Sequence, residues 1–190
     1  MLQVVFLAIV VGGFFYLRKV LRGETAAPAE HPQLTEDQIK QKWRELGFFC
    51  ELDDQKRTWI LTGSRRGLLY FPDLLLGYTN DHANEVDGTR KHFGPYGSLE
   101  IMTYPEPGFD SHAIRGSLPQ LAHLAELIET KLATAEPGET IRIREEYAPK
   151  SPYALLLDVR ADGFDPSSTD RERLGATAAE KKKPEQPPPA

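Results

Sequence analysis

The chain has 190 residues, with 23 basic against 28 acidic side chains and a formal net charge of −5. That length allows one domain plus appendages, and a single cysteine, Cys50, excludes an intramolecular disulfide and a cysteine-rich zinc site. Setting aside Arg18, Lys19 and Arg22 leaves about −8 on everything from Gly23 onward, a sign that repels phosphate backbones and argues against nucleic-acid binding.

The chain begins MLQVVFLAIVVGGFFYL, with Gln3 its only strongly polar side chain. Such a run predicts a single transmembrane helix within an anchor of residues 1–22. Seventeen residues is the short end for a span, so residues 2–22 cross the bilayer if Arg18 and Lys19 snorkel toward the headgroups. Phe14, Phe15 and Tyr16 then fall near the interface. The basic residues follow the apolar run instead of preceding it, which disfavours a cleaved signal peptide. The same residues predict an outside N-terminus and a cytoplasmic domain at the inner membrane. Ala8 and Gly12 offer a small-xxx-small spacing for a weak homodimer.

Residues 23–33 form a Pro/Ala linker. A soluble α+β domain is expected over 34–165, built as an antiparallel sheet with two amphipathic helices. The first helix starts at a capping box, Thr35 with Gln38, and ends at Gly47. Phe48–Leu52 and Thr58–Thr62 read as a hairpin around Asp53-Asp54-Gln55-Lys56. The apolar stretch Gly67–Gly77 is interrupted by Pro72, which leaves two short strands or an irregular packed segment. Residues 78–97 read as a long polar loop. Leu99–Tyr104 and His112–Arg115 read as strands. A second helix is expected over 118–134, opened by Ser117 with Gln120 and striped by Leu121, Leu124, Ala125, Ile128 and Leu132. Thr140–Tyr147 alternates and Tyr153–Val159 is more apolar, so both read as strands. Residues 166–190 are expected to be a disordered tail rich in Pro and Lys.

No nucleophile–base pair, metal cluster or cofactor motif is evident, and no catalytic, cofactor-binding or metal residue is assigned. Asp81, His82, Asp87 and His92 gather in the loop, and Asp110 lies two residues from His112. These residue types suit divalent metals or acid–base work, but their spacing matches no ligand pattern. Ser64-Arg65-Arg66-Gly67 offers a hydroxyl beside two cations, a setting for an anion or a solvated turn. Cys50 reads as a small core residue. IRGSLPQLAHLAELIETKL and SPYALLLDVRADGFDPSSTD, within residues 114–170, resemble small bacterial immunity-protein-like domains. That resemblance implies neutralising a partner toxin.

The expectation is thus a single-pass membrane protein whose cytoplasmic domain binds another protein without catalysing a reaction. A membrane-tethered hydrolase or metal-dependent enzyme using Asp81, His82, Asp87 and His92 is the first alternative. An immunity or inhibitor protein is the second.

Overall fold

The computed structural model of the chain describes residues 34–170. The expected span (2–22), the linker (23–33) and the tail from 171 lie outside these residues. None of the described helices is long and apolar enough to cross a membrane.

Helix α1, Glu36–Leu46, forms where its capping signals fall. The Thr35 backbone N–H donates to Gln38 Oε1 at 2.8 Å, and Thr35 Oγ1 accepts from the Gln38 N–H. Glu36 and Asp37 face the positive end of the dipole. Gly47 closes the helix in the left-handed region (φ +84°), its N–H reaching the Trp43 carbonyl. Ile39, Trp43 and Leu46 form the buried stripe.

Strands β1 (Phe49–Asp53) and β2 (Thr58–Ser64) make the expected hairpin. The chain then turns helical, as α2 (Arg65–Leu68) and α3 (Tyr70–Thr79). The stretch Gly67–Gly77 is therefore neither strand nor irregular. Pro72 sits in the first turn of α3, where a missing N–H costs little. Its ring crowds the carbonyl four residues back, at Leu68, where α2 stops.

The segment read as one loop, 78–97, holds the end of α3, a 3₁₀ turn (His82–Glu85) and β3 (Arg90–Phe93). Strands β4 (Leu99–Thr103), β5 (Gly108–Phe109) and β6 (Ile114–Gly116) follow. Next come α4 (Leu118–Ala133), β7 (Thr140–Ile143) and β8 (Ala154–Arg160). Residues 166–170, assigned to the tail from sequence, are packed. Pro166–Ser168 form a 3₁₀ turn on α1, and Asp170 accepts the Trp43 indole N–H at 2.8 Å.

The domain is α+β, but the expected single antiparallel sheet is corrected to two mixed sheets, and the expected pair of helices, α1 and α4, is joined by the short α2 and by α3. One sheet has the order β1-β2-β8-β7 and the other β3-β4-β6-β5. Each has a parallel pair at its centre, β2 with β8 and β4 with β6, flanked by antiparallel partners. Parallel partners are brought together by distant chain segments, so local alternation does not reveal them.

The two sheets are related by a swap of chain halves. Residues 49–103 run β1-β2-α2/α3-β3-β4, and residues 108–160 run β5-β6-α4-β7-β8. Replacing each strand by its counterpart converts one sheet order into the other, and the registers agree. Cys50 pairs with Leu61 as Phe109 pairs with Ile114. Gly63 pairs with Val159 as Gly116 pairs with Thr103. Arg90 pairs with Met102 as Thr140 pairs with Asp158.

The helices obey the same correspondence. Ser64 precedes α2 and Ser117 precedes α4, and buried residues follow at equal offsets. These are Leu68 and Leu121, Phe71 and Leu124, Pro72 and Ala125, and Leu75 and Ile128. The turns entering β3 and β7 match too. Gly88 (φ +83°) donates to the Thr103 carbonyl at 2.8 Å, as Gly138 (φ +97°) does to Val159 at 2.7 Å. The fold is thus an internal two-fold repeat of a ββαββ unit.

Helices α3 and α4 pack on each other. Leu61, Leu157, Leu99, Ile101 and Ile114 supply fully buried sheet residues to the core. Removing such side chains from water contributes about 1.5–3 kcal/mol each. Helix α1 stands outside the repeat, its Trp43 ring 4.8 Å from that of Phe49.

Candidate functional site: a groove at the end of a parallel strand pair

Strands β2 and β8 run side by side and end together, Ser64 opposite Arg160. The chain leaves β2 into α2 and leaves β8 toward Asp162 and Gly163. Between these exits lies an open groove of about 500 Å³, lined by Ser64, Arg65, Arg66, Leu69, Asp162 and Gly163. A shallower hollow of about 230 Å³ continues along the helix past Arg66 and Leu69 to Tyr70 and Asp73.

Local chemistry holds the groove wall in place. Ser64 Oγ accepts the Gly67 N–H at 3.1 Å, which caps α2. Gly67 packs on the end of α1, where an added Cβ would run into the Gly47 carbonyl oxygen. A Cβ at Gly47 would meet Tyr70 Cδ2 at 2.6 Å. Two glycines thus let the start of α2/α3 press against the α1–β1 corner, and the opposite face of the helix turns to solvent. Arg65 lies beside the carboxyl end of α4, with Nη1 3.4 Å from the Ala133 carbonyl oxygen. A cation there is favoured by the helix dipole.

Leu69 and Tyr70 are 37% and 46% exposed, two of the few large apolar side chains so open to solvent among the described residues. Arg65 and Arg66 lie within 4 Å of no carboxylate among the described residues. The same holds for Arg57 and Arg142, whereas Arg44, Arg90, Arg115, Arg144 and Arg160 each have such a partner.

The residues singled out for metal or acid–base chemistry stay apart: Asp87 is exposed in the turn before β3, and the others make separate local contacts. Asp81 Oδ1 accepts the Ala83 N–H at 3.0 Å, capping the 3₁₀ turn. His82 Nδ1 is 2.6 Å from Glu85 Oε1 at the surface, and that contact raises the imidazole pKa. His92 stands across the ladder from Glu100, Nε2 to Oε2 at 2.9 Å, with Arg90 3.2 Å from the other carboxylate oxygen. Asp110 Oδ1 accepts the backbone N–H groups of His112 and Ala113 at 2.8 and 2.9 Å. Its Oδ2 is 3.0 Å from Arg115 Nε. Among the described residues, no three His, Cys, Asp or Glu side chains converge as metal ligands would. Cys50 is buried, and burial pushes its thiol pKa up, away from the thiolate form that reactive cysteines need.

The sequence flagged Ser64, Arg65, Arg66 and Gly67, and the structure places the first three in the groove and makes the fourth its support. Leu69, Tyr70, Asp162 and Gly163 were missed. The first two lay in a stretch not read as helix, and the last two arrive from the far end of the domain. No protein-family model, curated protein or solved structure matches the chain.

Proposed function

We propose that the domain is a non-enzymatic protein-binding module whose partner docks on the groove beside α2 and α3. One observation carries this reading: Leu69 and Tyr70 remain exposed next to two unpaired arginines in an open concavity. Apolar rings and arginine are the side chains that dominate binding energy at protein interfaces. The apolar run 1–17, followed by Arg18, Lys19 and Arg22, supports attachment to a membrane, with the domain on the cytoplasmic side.

The reading is tested with a photoreactive amino acid placed at position 69 of the full chain, in its cells of origin. The same residue at position 123, the counterpart of Tyr70 on α4, is the control. A discrete heterologous adduct from 69 but not from 123 is expected. Equal labelling from both positions, or none from 69, overturns the proposal.

A further inference from the structure

We infer that the partner presents an acidic amphipathic segment, its carboxylates meeting Arg65 and Arg66 and its apolar side chains covering Leu69 and Tyr70. The inference rests on the protein-binding reading above and names the class of partner.

The internal repeat supplies the control that a single domain lacks. Helices α3 and α4 occupy equivalent places and bury equivalent positions, so α4 shows what the fold demands of such a helix. Their outward positions differ. Where α3 carries Tyr70, Leu76 and Gly77, α4 carries His123, Glu129 and Thr130. Leu69 is replaced by Ala122, and Arg65-Arg66 by Leu118-Pro119. His123, Glu129 and Thr130 are what a solvated face requires. The exposed parts of Leu69 and Tyr70, beside two adjacent arginines, have no counterpart on α4.

Charge selects the occupant. Four described arginines make no ion pair, Arg57, Arg65, Arg66 and Arg142, and of these only Arg65 and Arg66 adjoin each other and line the groove. Their guanidinium groups are preorganised for bidentate carboxylate contacts. Asp73 and Asp162 also line the groove. Asp73 repels acids from the Tyr70 end, and Asp162, on the wall that faces the arginines, narrows where a partner carboxylate can sit to the α2 side of the groove. A Cβ added at Gly77 would meet nothing within 4 Å, so the far end of the face is open to a bulky side chain.

The test uses the full chain and fluorescein-labelled peptides in which two glutamates precede leucine and phenylalanine at helical spacing. Matched peptides carry two glutamines or two lysines instead. The acidic peptide is expected to bind, and the glutamine and lysine versions to bind at least about tenfold more weakly. R65A/R66A and L69A/Y70A are each expected to reduce binding by at least about tenfold, while H123A leaves it unchanged.

The inference is overturned by absent binding of the acidic peptide, by equal binding of the glutamine peptide, or by arginine variants that bind normally. Self-association lost in R65A/R66A would assign the face to a second copy. Arginine-dependent sedimentation with phosphatidylglycerol vesicles would assign it to lipid. Either result overturns the inference. A specific adduct from position 69 combined with any of the peptide failures sinks the acidic-segment inference alone. Absence of that adduct removes the binding reading beneath it.

Discussion

Helices α3 and α4 answer the same architectural demand with different surfaces. Both follow a Gly-Ser pair at the end of a central strand, and both bury a matching row of residues against the sheets and each other. Both starts are capped by their serine, but α4 adds the return contact, the Ser117 N–H donating to Gln120 Oε1 at 2.8 Å, where α2 has Gly67 pressed against its neighbour. The inward rows show which residues the fold constrains. The outward rows show where constraint was lifted, and only the α2/α3 side carries an exposed leucine and tyrosine beside two arginines.

The largest test of this equivalence is in the core. Leu75→Ala and Ile128→Ala remove fully buried side chains at matching positions. Each is expected to cost about 2–5 kcal/mol in urea unfolding. A disparity well beyond that spread would show that the halves do not share their load as the registers imply. The next test separates the helix starts. Gly67→Ala places a methyl group against the Gly47 backbone, which cannot yield as a flexible side chain does, and about 3 kcal/mol is expected. Gln120→Ala, its counterpart, loses only the capping contact, about 1 kcal/mol.

A third test addresses a feature of one half. Tyr78 buries its hydroxyl, donating to the Thr89 carbonyl at 2.7 Å and lying 2.9 Å from Thr103 Oγ1. Its counterpart on α4, Lys131, instead pairs with Glu146 at 2.7 Å nearer the surface. Tyr78→Phe leaves buried acceptors short of a donor and is expected to cost about 1–2 kcal/mol. Lys131→Met should change stability by less than about 1 kcal/mol.

The smallest effects fall outside the repeat and on its outward faces. Arg44, 2.7 Å from Asp165, and the Ser167 contacts hold that carboxyl at a pKa of about 2, below the ordinary value of 3.8. A lowered folded-state pKa stabilises the protein above about pH 4, and this contribution is lost as pH falls through about 2. The pair is 53% and 40% exposed, so screening leaves it less than about 1 kcal/mol. Asp165→Asn should flatten the acid limb of the stability profile by no more than that. Leu69→Ala and Tyr70→Ala should each move unfolding by about 1 kcal/mol or less, since both are partly exposed and the Tyr70 ring keeps only an edge on Gly47. Larger losses would make them structural residues and erase the contrast with α4.

The sequence disclosed what is encoded locally. Thr35 with Gln38 and Ser117 with Gln120 marked two helix starts, Gly47 marked an end, and the β1–β2 hairpin followed from its turn. Pro72 hid α3, because a proline in the first turn of a helix resembles a proline that breaks one. The parallel pairings were invisible, since β2 and β8 lie at opposite ends of the domain. The repeat was hidden because it rests on few identities, among them Gly63 with Gly116, Ser64 with Ser117, Leu68 with Leu121 and Gly88 with Gly138. Half of the groove could be read at Ser64-Arg65-Arg66. The other half is made by tertiary structure, where Asp162 and Gly163 come alongside.

The nesting of the two sheets bears on how the chain is made. Strands β3 to β6 are contiguous in sequence, so their sheet can close as soon as Gly116 has left the ribosome. Strand β2 must wait for β8, and until Arg160 emerges its Trp59, Ile60 and Leu61 border an unpaired edge. Such edges recruit other strands. A nascent chain stalled between α4 and β8 would therefore be the form most in need of a chaperone.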